Sequence, residues 1–103
     1  MITIKKGATA LLRVDLTQFD FQGGYVVLTI KHKDRIKPIF EHRMDTAEVH
    51  IITLPDELTA RMQVGDLYQY DIMWHINDER FAQCPPQPIR VVPTVGGYID
   101  DRS

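Results

Sequence analysis

The chain has 103 residues, 44% of them hydrophobic and 25% charged, which is the size and composition of one globular domain. Its 12 basic and 14 acidic side chains give a net charge of −2. This balance excludes nucleic acid as an expected partner, because phosphate backbones are bound by a surplus of Lys and Arg.

The first third of the chain predicts β-strands by its alternation. Ile2 and Ile4 open a short strand. In the segment Ala8–Leu16 every second residue is apolar and these residues share one side of the strand, with Leu11 as the only apolar residue on the other side. After the turn signal Gln22-Gly23-Gly24, the segment Tyr25–Lys31 is rich in β-formers. We expect its side chains Val26, Leu28 and Ile30 to face inward.

The middle of the chain predicts a β-hairpin formed by Ile39–Met44 and Glu48–Thr53. Pairing Arg43 with Glu48 keeps charges off the core face, whereas a slip of one residue exchanges the two faces. This register places Ile39 opposite Ile52 on the outer face and separates His42 from His50. The slipped register would instead make the two histidines neighbours.

The segment Leu54–Met62 predicts a short helix, because Pro and acidic residues come early and Leu58 lies four residues before Met62. The strand that follows, Leu67–Ile76, carries large aromatic residues in alternation. We expect it to be central, with Met73 facing outward. Its predicted framework core consists of Tyr68, Tyr70, Ile72 and Trp74.

The end of the chain predicts a short strand near Arg80–Gln83 and a last strand over Ile89–Val95. Between them, Cys84–Pro88 contains three prolines, which remove backbone donors and exclude a central strand. We expect residues 1–97 to form a single domain and residues 98–103 to form a flexible tail. Many short strands and one helix near residues 55–62 predict an all-β, antiparallel two-sheet sandwich of seven or eight strands.

Several of these segments resemble the immunoglobulin-like modules of tailed-phage structural proteins, such as the N-terminal module of baseplate upper proteins. The similarity spans residues 2–95 and is carried by framework segments, in which Tyr68 matches the tyrosine that hydrogen-bonds back across a strand corner. The proline-rich segment Cys84–Pro88 departs from the pattern. The resemblance implies a non-enzymatic virion component of the tail or baseplate. The matching segments are Ile2–Gly7, Tyr25–Lys31, Val49–Leu54, Leu58–Ala60 and Gly65–Ile72.

No motif in the sequence places a catalytic base, a second carboxylate or a further metal ligand beside the residues that could carry chemistry. Cys84 is the only cysteine, which excludes an internal disulfide and a multi-cysteine zinc site, and no histidine lies beside it to activate the thiol. Asp71 is expected to contact Arg13 or Lys31 rather than a second catalytic carboxylate. In the preferred register the histidines do not converge on a metal. We therefore expect no enzyme activity, no cofactor and no metal.

The outward apolar residues are the candidate interface: Leu11, Ile39, Ile52 and Met73. A contiguous apolar patch on a wet face marks a binding surface. We expect the partners to be copies of this chain or neighbouring phage structural proteins. The alternative is a glycan-binding sandwich, which requires exposed aromatic residues in a concavity. The sequence has neither a signal peptide nor a run of about 20 apolar residues, so we expect no membrane insertion and synthesis in a host cytoplasm.

Overall fold

The strands of the chain are short and are joined mostly by turns. The computed structural model describes residues 2–83 and 85–94, which contain eight strands and one helix. In chain order the elements are β1 (Ile2–Lys5), β2 (Ala10–Asp15), β3 (Tyr25–His32), β4 (Phe40–Asp45), β5 (Val49–Leu54), α1 (Asp56–Ala60), β6 (Gly65–Ile76), β7 (Glu79–Ala82) and β8 (Gln87–Val92).

These strands form two sheets that share one core. The larger sheet has the order β1-β8-β6-β3-β4, with β7 beside the end of β6, and the smaller sheet consists of β2 and β5. The predicted all-β two-sheet sandwich is therefore confirmed. One pairing differs from the prediction, because β1 and β8 run parallel while the other pairs are antiparallel.

The core is built from the inward side chains of both sheets. Val26, Leu28 and Ile30 are at most 1% exposed, as their alternation predicts. Burying a side chain of this size stabilises the fold by about 1.5–3 kcal/mol relative to leaving it exposed. From the smaller sheet and the residue after β2, the core receives Leu12, Leu16, Ile52 and Leu54.

The strand β6 is central, as predicted, because β3 pairs with one side of it and β8 and β7 share the other. Its register with β8 shifts between Gly65 and Tyr68, which marks a β-bulge at the start of the strand. At this bulge the Asp66 carboxylate accepts two hydrogen bonds from the Arg90 guanidinium, at 2.8 and 3.2 Å. The pair links the irregular part of β6 to β8.

The helix α1 has one turn and is attached to the β1–β2 connection. Lys6 Nζ donates to the carbonyl oxygens of Ala60 and Met62, both at 2.6 Å. These contacts satisfy acceptors that the end of a helix leaves free. The buried Thr59 hydroxyl donates to the Ala8 carbonyl at 2.8 Å. Through these bonds, α1 is joined to a loop more than fifty residues earlier in the chain.

The predicted hairpin between Ile39–Met44 and Glu48–Thr53 is wrong. Both strands exist, but β4 pairs with β3 in the large sheet and β5 pairs with β2 in the small one. The short link between them carries the chain from one layer to the other, with Ala47 at a φ of 63°. The predicted pairing of Arg43 with Glu48 is therefore also wrong. Arg43 lies opposite Val27, and the Glu48 carbonyl accepts a hydrogen bond from the Leu16 N–H.

The last strand begins earlier than predicted. Gln87 and Pro88 belong to β8, where Pro88 lies opposite Gln69 of β6. The pairing of β1 with β8 starts only at Ile89, so Pro88 precedes the part of the strand that has partners on both sides. Cys84, Val95 and the predicted tail at 98–103 lie outside the described residues. Within the described part of the chain, no helix has the length and apolar character needed to cross a membrane.

Candidate interaction surface

The outward side of the small sheet is unusually apolar. Even-numbered residues of β2 and β5 point to the core, so the odd-numbered ones point outward. Leu11, Ile51 and Val49 are 68%, 60% and 43% exposed. We call this surface the outer β2–β5 face, and its three opposed pairs are Leu11–Thr53, Arg13–Ile51 and Asp15–Val49. Half of its six positions thus carry large aliphatic side chains, which marks a candidate contact surface.

The edge of β2 beside this face is unpaired in the described residues. The Leu16 N–H donates to the Glu48 carbonyl at 2.9 Å, and this bond fixes which residues of β2 bond to β5. In an antiparallel ladder the hydrogen-bonded pairs alternate, so the even-numbered residues bond to β5. The backbone N–H and C=O groups of Leu11, Arg13 and Asp15 therefore point to the free edge. A groove of about 390 Å³ lies between this edge and β1.

The charged pair on the outer β2–β5 face is held in place locally. The Asp15 carboxylate accepts a hydrogen bond from the Thr17 N–H at 2.9 Å and another from the Thr17 hydroxyl. These bonds lower the pKa of Asp15, and the Arg13 guanidinium at 3.9 Å lowers it further. The end of β2 therefore presents a fixed anion two residues from a cation.

The predicted interface residues do not lie on one surface. Leu11 is on the outer β2–β5 face, but Ile39 precedes β4 and is 36% exposed. Met73 is half-buried and lies opposite Val27 on the outer side of the large sheet.

The outward placement of Ile52 is wrong, because its side chain is 1% exposed and belongs to the core. Since β5 pairs with β2 rather than β4, the outward residues are Val49 and Ile51, one position away, and sequence reasoning missed both. The signal that could have found them is the apolar pair Ile52 and Leu54, two residues apart and both buried, which leads directly into the helix.

The framework core residues lie where their alternation predicts. Tyr68 and Ile72 are buried, and Tyr70 and Trp74 pack against the core. The Tyr68 hydroxyl accepts a hydrogen bond from the Gln63 N–H at 2.8 Å, so the corner bond proposed for this tyrosine is present.

The Trp74 indole donates to the Gly23 carbonyl at 2.8 Å and its ring contacts Phe21 and Phe81. Phe21 and Trp74 pack against the core, whereas Phe81, beside Trp74, is 42% exposed.

A second concave surface lies at the β6–β7 turn. Tyr25 stacks on His75 with ring centres 4.9 Å apart, and the Arg43 guanidinium lies 3.8 Å from the centre of the Tyr25 ring. Beside them is a cavity of about 510 Å³ that Tyr25, His75 and the turn Asn77–Arg80 line. The cavity has an aromatic wall and a rim of amide, carboxylate and guanidinium groups.

The histidines have separate neighbours. His50 Nε2 lies 2.8 Å from the Asp45 carbonyl oxygen, His32 Nδ1 accepts a bond from the Asp34 N–H, and His75 stacks on Tyr25. His42 lies on β4 opposite Leu28, in the other sheet from His50. Over residues 2–83 and 85–94, no three His, Cys, Asp or Glu side chains are grouped as metal ligands.

The expected contact of Asp71 with Arg13 or Lys31 is not observed. Asp71 lies opposite Thr29 in the ladder of β3 and β6. Arg13 instead lies near Asp15, and Lys31 donates to the carbonyls of His32 and Arg35. The described residues therefore do not bring either predicted basic partner to Asp71.

The chain was compared with protein-family models, with curated proteins and with solved structures, and none of the three comparisons gave a match.

Proposed function

We propose that this chain is a non-enzymatic interaction module that works by protein–protein contact through the outer β2–β5 face. The observation that carries the proposal is the exposure of Leu11, Ile51 and Val49 together on one small sheet. Exposed aliphatic side chains that share one face gain free energy when a partner covers them. The unpaired edge of β2 adds backbone donors and acceptors for a partner strand.

The setting we propose for this module is the tail or baseplate of a phage or prophage particle. Its support is the resemblance of the framework segments to tailed-phage modules, together with a two-sheet fold that has the corner bond at Tyr68. In such a particle the module would be an assembly element, with neighbouring structural proteins or further copies as partners.

The test of the contact surface is a pair of charge substitutions with a matched control. Ile51→Lys and Leu11→Lys place a charge on the outer β2–β5 face, whereas Ile36→Lys places it at an isolated side chain that is 95% exposed. After prophage induction, we expect the amount of the first two variants in purified particles of the source strain to be at least tenfold lower than that of the parent chain. Quantitative mass spectrometry measures this amount. Equal incorporation of all three variants would contradict the proposal.

A glycan-binding role is the second candidate, and the cavity at the β6–β7 turn is the specific observation that favours it. Sugar rings stack on aromatic faces while their hydroxyl groups bond to amide and carboxylate groups. The His75 ring, stacked on Tyr25, and the turn residues supply both kinds of contact.

A glycan array decides this second candidate. Binding that Tyr25→Ala abolishes and that Ile36→Ala leaves unchanged would support it. An array without any bound glycan would remove it, and the interaction-module proposal would be unaffected.

A further inference from the structure

We propose that two copies of this chain associate through the free edge of β2, with the two β2 strands antiparallel about a two-fold axis. This inference rests on the proposed interaction function and specifies the partner at the β2 edge, a second copy. The result would be a continuous four-stranded sheet in the order β5-β2-β2-β5. It would also join two outer β2–β5 faces into one broad surface.

The backbone of β2 is suited to this pairing. Since its even-numbered residues bond to β5, the N–H and C=O groups of Leu11, Arg13 and Asp15 face the edge. Two antiparallel strands that meet through these residues exchange hydrogen bonds at every second position. The register must also keep each outward side chain on the outward face, because a one-residue slip exchanges the faces.

Charge selects one register among those that remain. When Val14 lies on the two-fold axis, Arg13 of each copy lies opposite Asp15 of the other, which makes two ion pairs. Placing the axis at Arg13 opposes two guanidinium groups, and placing it at Asp15 opposes two carboxylates. Directly opposed like charges destabilise a strand pair. The register centred on Val14 is therefore the one with complementary charge.

β4 is one of the other edge strands of the sandwich, and it is less suited to self-pairing. β4 is the outermost strand of the large sheet and presents the charged residues Glu41, Arg43 and Asp45 on one side. Charged edges of this kind discourage strand addition. The edge of β2 carries Leu11 beside the Arg13–Asp15 pair, and the adjacent groove of about 390 Å³ separates it from β1.

The contact area is small, so the experiment needs a high protein concentration. Stable complexes bury about 1,200–2,000 Å² in total, and the edges of two six-residue strands bury less than that. We therefore expect a weak dimer, measured by sedimentation equilibrium up to about 1 mM chain in low salt. Because the ion pairs are exposed to solvent, salt should weaken the dimer.

Two charge reversals test the pairing in a way that general loss of stability cannot imitate. Arg13→Glu places a second carboxylate opposite Asp15 of the other copy, and Asp15→Lys places an ammonium group opposite Arg13 of the other copy. Each variant alone should therefore dimerise at least tenfold more weakly. Mixing the two variants pairs opposite charges again, and we expect the mixed dimer to form with nearly the original affinity. Arg35→Glu, an exposed charge reversal in the β3–β4 connection, is the matched control and should leave the dimer unchanged.

A backbone variant covers the case in which Asp15→Lys loses its turn with Thr17 and unfolds. Arg13→Pro removes an N–H that points to the free edge rather than to β5. It should abolish the dimer while leaving the circular dichroism spectrum intact.

A strict monomer at 1 mM, or a dimer that survives Arg13→Glu and Arg13→Pro, would overturn the edge pairing. Loss of particle incorporation in Ile51→Lys would still support the proposed function in either case, so the two failures are distinguishable.

Discussion

The hydrogen bond made by the Tyr68 hydroxyl should have a measurable effect on stability. It accepts the Gln63 N–H across the corner between α1 and β6, and its ring is 6% exposed. Tyr68→Phe keeps the ring but removes the acceptor, so we expect the free energy of unfolding to fall by about 1 kcal/mol in urea titrations. Tyr25→Phe is the control, because the Tyr25 ring stacks on His75 outside the core. Equal stability of the two variants would show that the corner bond contributes nothing.

The Asp66–Arg90 pair predicts a dependence of stability on pH. Hydrogen bonds from Arg90 lower the pKa of the Asp66 carboxyl, and Asp66 in turn raises the pKa of Arg90. A carboxyl whose pKa is lower in the folded state stabilises the fold while it is ionised. This contribution is complete above the ordinary Asp pKa of about 3.9 and disappears as the pH falls through the lowered value.

We therefore expect Asp66→Asn to have a lower melting temperature than the parent chain at pH 6. The difference should shrink as the pH is lowered below about 4. Thermal melts followed by circular dichroism at several pH values measure it. Asp20→Asn, in an exposed loop position, is the matched control. A difference that stays constant from pH 6 to pH 3 would contradict the assignment.

At the scale of elements, alternation predicted the strands whose two faces differ clearly. In the segments Tyr25–Lys31 and Ala8–Leu16 one side is entirely apolar and the other carries only one aliphatic residue, Val27 or Leu11, so their inward residues follow from the sequence. The strand β5 has apolar residues on both faces, with Val49 and Ile51 on one and Ile52 and Leu54 on the other. Its orientation depends on the strand it pairs with, and alternation within β5 cannot identify that strand.

The error in the predicted hairpin has the same origin. Two strands separated by a short link satisfy the pattern of a hairpin, and the sequence carries no mark that the link crosses between layers. Edge exposure is also a property of the assembled sheet, so the free edge of β2 could not be predicted from its own residues. The outward position of Leu11 could be predicted, because Leu11 is the one apolar residue on the polar side of its strand.

Neighbouring isoleucines in β5 test its orientation directly. Ile52 is 1% exposed and Ile51 is 60% exposed. Ile52→Ala should lower the free energy of unfolding by about 2–5 kcal/mol because it leaves a cavity in the core. Ile51→Ala should change it by about 0.5 kcal/mol or less, as surface substitutions do. The reverse order in denaturant titrations would restore the predicted hairpin register.

At the scale of the whole molecule, the two sheets differ in size but contribute to the same core. Ile52 comes from the small sheet, while Trp74 packs against that core from the large one, at the end where Phe21 and Phe81 contact it. A sheet of two strands is at most marginally stable alone, so β2 and β5 depend on the large sheet for their apolar contacts. The whole sandwich should therefore unfold as one cooperative unit.

Ile52→Ala makes this coupling measurable, because Trp74 is the only tryptophan in the chain and lies on the other sheet. If unfolding is cooperative, the substitution shifts the tryptophan fluorescence transition and the circular dichroism transition by the same denaturant concentration. If the small sheet unfolds separately, the fluorescence transition stays at its original midpoint while the circular dichroism signal changes earlier. We expect coincident shifts, since the inward side chains of both sheets belong to one contiguous cluster.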